Sequence, residues 1–481
     1  MTCFNIDNSL YKSFFCIYIF LETLLCSGVV YGWTSIVVIF KHEKFYEKFC
    51  SVLDTNSTLK QNWMKQERQN CDHQDLMLNL IFTVSAICKC AEFPIGVLID
   101  KFGAKKARLV SGCLYAISCL GLGFIKVGYE DFLFRIFIGI VFGGAVQLIS
   151  AYQMSNYIFS TKTKSILICI LAGAFDLSSF VFLMFKVVYE AGIALNYIAF
   201  GYAIISFVMT FFGSLGLVPG KDKVARINNS IESDSCNQGT IFESIFSFMY
   251  ILQLMVSTVI QLKLWYYVGT MHDNITKLTF KDQAQVSIYT NLFGYIQLGG
   301  ILVTPIVGFL FHQSENKVDE KSPFLQHSNK RISEIRSCIK PIVVTIVLTL
   351  ILCMLSLFSD LSLEIPCYVL YTIVRAFLYA NNAAFIGVAF PASQYGTLFG
   401  LNVFVSSIFG FFQYALFKLT KNTLNGNPFW VNTILLILVT ICLVHPLYLF
   451  CYCKPKKISS KKKHVDKKPL LKPEPITETS I

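Results

Sequence analysis

Charge is scarce in this chain, at 15% of residues, and histidine is scarcer still, with 7 copies. A soluble protein of this length would carry more charge. Neither Gly-x-Ser-x-Gly nor His-Glu-x-x-His occurs, which argues against a membrane-embedded enzyme. His445 is the one histidine well inside an apolar run, with no evident nucleophile or metal partner. Metal-ligand spacing is lacking too. The 17 cysteines are scattered, and Cys88-Lys89-Cys90 has no partner ligands. No metal and no cofactor are expected. The basic residues behind the net charge of +12 lie in short loops and the tail with almost no aromatic interleaving, so nucleic acid is not an expected partner.

What the chain has in abundance is apolar sequence, at 54% hydrophobic residues and a mean hydropathy of +0.57. Many runs reach the ~20 residues that cross a ~30 Å hydrocarbon core as a helix. About twelve such runs are readable, near 14–40, 75–98, 107–127, 131–153, 164–188, 195–218, 245–270, 285–311, 340–359, 364–389, 396–419 and 428–452. Only helices and closed barrels satisfy backbone groups in lipid, so the expected class is an all-α integral membrane bundle. The first run is long, carries Glu22 and has no small-residue cleavage site after it, so it reads as a spanning helix rather than a leader.

The charge pattern orients the bundle. With both termini cytoplasmic, about 25 of the 41 Lys and Arg fall inside and about 12 outside. The reading is then a cytoplasmic N-terminus (1–13), a six-helix half (14–218) with an extracellular loop (41–74), a polar cytoplasmic loop (219–244), a second six-helix half (245–452) and a basic cytoplasmic tail (453–481). Two halves of equal span number place a solute site at the midplane between them. Sequons at Asn56 and Asn274 fall on the outside in this scheme, and the one at Asn228 falls inside. Cys50 and Cys71 share the outer loop, where a disulfide would persist; two free thiols are the alternative. The tail carries weak motifs: Cys451 and Cys453 beside basic residues, a dileucine run ending at Leu471, and a terminal Thr479-Ser480-Ile481 that a PDZ domain could take as an added strand.

The run from Gly96 to Lys106 joins two apolar runs through Gly96-x-x-x-Asp100-Lys101-x-Gly103. Glycines permit the tight turn, and Asp100 stands within reach of a helix N-terminus. This run resembles the signature loop of the major facilitator superfamily, between its second and third spans on the cytoplasmic face. The resemblance implies a twelve-helix bundle of two pseudo-symmetric halves. The second-half copy, Gly308 to His312, keeps the glycine and replaces the acid. Further stretches resemble solute carrier family 43: Tyr31-Gly32-Trp33, Cys71 to Asp75, Ile373-Val374-Arg375, Tyr395 to Gly400, and Pro428 to Asn432. That family contains facilitative carriers of large neutral amino acids and an equilibrative purine nucleobase carrier. Phe175 to Ser179, Phe377 to Phe385 and the short central loop look closer to the nucleobase member, while the first loop and spans seven and eight look closer to the others. The expected function is facilitated (uniport) transport at the plasma membrane, purine nucleobases first and large neutral amino acids second, with a non-transporting receptor or scaffold as the remaining class.

Polar groups within spans are the candidate solute contacts. Asp176 is followed at i+3 by Ser179; pairing of Asp176 with a neighbouring helix is the alternative. Arg375, Tyr379 and Asn382 form one stripe, with Tyr379 placed to stack and Asn382 to read an edge. Arg375 reads as structural, held by Glu22 or Asp176. Ser257, Gln261 and Trp265 form a second stripe, and Tyr289, Phe293 and Gln297 a third, though aromatic stripes in membranes more often pack helices. Lys89 and Glu92, at i and i+3, could simply neutralise each other. Arg135-x-x-x-Gly139-x-x-x-Gly143 has the small-residue spacing of close helix packing.

Overall fold

Continuous apolar sequence folds into helices that keep every backbone group paired, and the computed structural model of the chain is helical in all its regular elements. It describes residues 9–47, 72–159, 161–220, 240–280, 282–313, 331–358, 360–424 and 427–454. Among these, 11 helices are long and apolar enough to cross a membrane, or 12 when the bent pair Ala284–Leu298 and Gly300–Phe311 counts as one span. Large apolar side chains such as Ile117 (65% exposed) and Leu302 (75%) point outward, as a lipid-facing belt requires.

The spans are of two kinds. The fourth (Phe132–Ile158), seventh (Phe248–Leu278) and tenth (Glu364–Ala389) are unbroken helices. Six others break along their length, the twelfth between Phe429–Ile441 and Val444–Tyr452. The first is Ser9–Cys26 then Trp33–His42, and the second is Asp72–Ile87 then Glu92–Phe102, joined by the 3-10 turn Cys88–Ala91. The fifth is Thr161–Leu177 then Phe180–Glu190. The eighth bends by 40° at Gly299, and the eleventh is Tyr395–Gly410 then Phe412–Asn422. Where the expected boundaries differ, the helices are longer: the seventh runs to Leu278, so Asn274 is half-buried on a helix rather than in a loop. The ninth starts at Arg331, inside what reads as a loop. Cys50, Cys71, Asn56, Asn228 and the tail after Lys454 lie outside the described residues.

Each half has its own buried polar knot. In the first, Arg108 is fully buried and pairs with Glu22. Its Nη1 donates to Ser150 Oγ (2.8 Å), its Nη2 to Tyr18 OH (3.1 Å) and its Nε to Ser214 Oγ (3.3 Å). One side chain thus ties the first, third, fourth and sixth spans. Glu22 is therefore not the partner of Arg375. In the second half, the buried Lys263 Nζ donates to Asn432 Oδ1 (2.9 Å), and Asn432 Nδ2 to Ser356 O (2.8 Å). Gly139 and Gly143 lie directly against Ser118 and Tyr115 of the third span, the close packing their spacing implies.

Candidate functional site: a central cavity closed at one end

The halves meet mainly at one end of the bundle, where the turn at Gly103 lies; this is the loop end. The inner pieces of the broken spans pair there: Glu92–Phe102 with Tyr395–Gly410, and Thr161–Leu177 with Gly300–Gln313. The outer pieces Asp72–Ile87, Phe180–Glu190, Gln283–Leu298 and Phe412–Asn422 form no comparable pairing across the halves among the described residues.

Sequence makes the loop-end contact close. A Cβ on Gly96 would stand 1.9 Å from Gly396 O, and one on Gly400 2.3 Å from Glu92 O, so only glycine lets these backbones touch. Gly103 has a φ of 88°, which turns the chain sharply into the third span. Asp100 then sits on the N-terminus of the Tyr395–Gly410 helix. Its Oδ1 accepts from Gly396 N (3.2 Å), and its Oδ2 from Thr397 N (2.7 Å) and Thr397 Oγ1 (2.6 Å). Gln153 Nε2 donates to the same carboxylate at 2.6 Å. An acid on a helix N-terminus is favoured by the free amides and the helix dipole. The complementary contact lies nearby. Lys164 Nζ donates to Gly387 O (2.9 Å) near the C-terminal end of the tenth span, where a cation is favoured. At the second-half copy of the turn, Gly308 packs against the Ile166 backbone; its contact is steric.

Above this latch lies a cavity of about 650 Å³ of atom-free space, open rim included, between the halves. Its second-half wall includes Ser257, Gln261, Trp265, Tyr379, Asn382 and Asn402. These groups form a ladder of amides. Gln253 Nε2 (3.1 Å) and Ser257 Oγ (3.2 Å) donate to Asn382 Oδ1, and Asn382 Nδ2 donates to Asn402 Oδ1 (2.9 Å). Asn402 Nδ2 ends the ladder without a partner among the described residues. Gln261 Nε2 donates to Tyr379 OH (3.3 Å). The first-half wall includes Lys89, Glu92, Tyr152 and Phe175. Lys89 Nζ lies 5.2 Å from the ring centres of Tyr31 and Phe175 and 5.6 Å from that of Tyr379, a three-ring cage for one cation. A smaller hollow inside the first half shares Lys89, Glu92 and Phe175 with the cavity.

Of the sequence candidates, the structure brings Gln261, Trp265, Tyr379 and Asn382 to the cavity and leaves three away from its wall. Asp176 pairs with Arg375 at 3.7 Å, with its side chain 9% exposed. Ser179 Oγ turns back to Asp176 O (3.1 Å), because the helix ends at Leu177. Gln297 belongs to the outer piece of the bent eighth span, while Phe293 of the same stripe packs on Tyr368 and Tyr371. Lys89 and Glu92 form no ion pair with one another among the described residues; both face the cavity instead. The sequence signal for Asn402 is its i, i+4 spacing with Ser406, which marks a polar face in an apolar span.

Two six-span halves around a polar cavity, latched at one end by contacts from one half to the other, define a membrane carrier. The chain belongs to the Major Facilitator Superfamily, whose sequence pattern matches residues 56–414. It is 28% identical over 477 residues to Equilibrative nucleobase transporter 1 of Bos taurus, covering 91% of this chain and 95% of that one. It is 24% identical over 519 residues to Large neutral amino acids transporter small subunit 3 of Homo sapiens, covering 90% and 92%. Both bear out the resemblance to solute carrier family 43. Among solved structures, the proton:xylose symporter XylE bound to 6-bromo-6-deoxy-D-glucose superposes with a TM-score of 0.57 over 92% of this chain and 96% of that one, at 14% identity, which shows a shared fold.

Proposed function

We propose that this chain is a facilitative carrier, not an enzyme, that moves purine nucleobases by alternating access. The observation that carries the solute class is the distribution of polar groups. Amides and hydroxyls (Ser257, Gln261, Asn382, Asn402) line one wall, charged groups (Lys89, Glu92) the other, and rings (Phe175, Trp265, Tyr379) stand among them. A flat heterocycle has hydrogen-bonding groups around its whole rim and apolar faces to stack. An aliphatic amino acid is polar at one end only. The similarity to a nucleobase transporter over 91% of the chain supports the same reading. The second reading, a large neutral amino acid, is favoured by the adjacent ammonium and carboxylate of Lys89 and Glu92, which could pair with a zwitterion. Uptake of radiolabelled adenine and leucine by expressing cells separates the two. Adenine uptake that falls in Asn382→Ala is expected, and leucine uptake without adenine uptake overturns the proposal. Sodium or pH dependence would count against simple facilitation.

The proposed setting is the plasma membrane, with an endosomal pool served by the dileucine run. Both termini and the Asp100 latch are cytoplasmic, so the structure is closed to the inside. Asn56 and Asn274 carry glycans outside, Cys50 and Cys71 form a disulfide there, and the tail meets a PDZ domain or sorting adaptor. A glycan at Asn228, read by mass spectrometry, would reverse this topology.

A further inference from the structure

Glu92 is 4% exposed, lines the cavity and accepts no hydrogen bond from any described residue. A buried carboxylate with empty acceptor sites is costly unless something fills them. Lys89 precedes it by three residues, at the 3-10 turn where i and i+3 side chains eclipse, so both heads face the same space. The other acid–base pair nearby, Asp176 with Arg375, is already matched. Across the cavity, Asn402 Nδ2 is a second unmatched group, a donor on a residue that is 1% exposed.

We propose that Lys89 and Glu92 together read a guanine-type edge, an exocyclic oxygen beside a ring N–H and an amine. This rests on the nucleobase reading above. The ammonium donates to the oxygen, as lysine does to guanine O6. The two carboxylate oxygens accept from the ring N–H and the amine, a bidentate, charge-assisted match. The cage of Tyr31, Phe175 and Tyr379 holds the ammonium in place before the solute arrives. Asn402 Nδ2 is left to donate to a ring nitrogen on the opposite rim. Hypoxanthine lacks the amine and forms one contact fewer with the pair; adenine lacks both the oxygen and the ring N–H beside it and forms at least two fewer.

The test is competition for radiolabelled hypoxanthine uptake in cells expressing the intact chain. Guanine should inhibit at roughly tenfold lower concentration than hypoxanthine, since one charge-assisted hydrogen bond separates them, and adenine should inhibit more weakly than either. Glu92→Gln should bring guanine to the level of hypoxanthine. Lys89→Met should weaken guanine and hypoxanthine more than adenine, and Lys89→Arg should restore the order. Adenine equal to or better than guanine in the unaltered chain overturns the inference. So does equal weakening of all three purines by both variants at unchanged surface abundance. If leucine enters and no purine does, the nucleobase reading itself has failed.

Discussion

Each of the three hydrogen bonds that Asp100 accepts from Gly396 and Thr397 crosses from one half of the molecule to the other. They exist only while the loop end is closed. Asp100→Asn keeps the size and loses the charge, so uptake rate should fall several-fold while half-saturation changes less than about twofold. Initial-rate kinetics at several solute concentrations check this, and unchanged rates would remove the latch from the mechanism. Arg108 has a different job, inside one half. Arg108→Ala leaves Glu22 buried and unpaired, at a cost of about 3–5 kcal/mol. Surface abundance and melting temperature in detergent should drop, and adding Glu22→Gln should recover part of the loss. The stripes of Ser257, Gln261 and Trp265 and of Tyr379 and Asn382 were legible because the seventh and tenth spans are unbroken, so residue spacing maps onto one face. Spacing misplaces Ser179 and Gln297, which sit where helices break. The i and i+3 spacing of Lys89 and Glu92 allows mutual neutralisation and does not reveal that both line a cavity.

At the scale of the element, the seam between the second and eleventh spans depends on glycine at positions 96, 396 and 400. Gly96→Val would push Gly396 away and hold the loop end apart. Labelling of a cysteine placed at Ser407 by an impermeant thiol reagent added outside should then fall relative to the same cysteine in the parent chain, because the site would face inward more of the time. Unaltered labelling would mean that this seam does not set the balance. The twelve spans could be read from hydropathy alone, because a bilayer imposes length and polarity on each. Their breaks could not, since the residues at Cys88–Ala91 and Ser178–Ser179 are compatible with helix and only the neighbouring half makes a bend useful.

For the whole molecule, the broken spans divide each half into a part that pairs at the loop end and a part that does not. Cysteines replacing Asp100 and Thr397, joined by oxidation or a short bifunctional reagent, should stop uptake while leaving outside solute able to bind and be retained on washed cells. Transport that survives the cross-link would overturn closure at the loop end. The family could be read from the turn at Gly96 to Lys106 because its acid and glycines make the close contact between the halves at the loop end. Solute contacts follow no such shared pattern.

The buried charges carry an electrical consequence. Glu22 with Arg108, Asp176 with Arg375, Lys89 with Glu92, and Lys263 near Glu364 each sum to zero within the spans. These four pairs therefore drag no net charge through the membrane field as the halves rock, where one charge would feel about 2.3 kcal/mol per 100 mV. With an uncharged base aboard, the carrier should be blind to voltage. Uptake measured in cells depolarised with external potassium should match that in resting cells, and a current that follows the solute would mean that an ion travels with it.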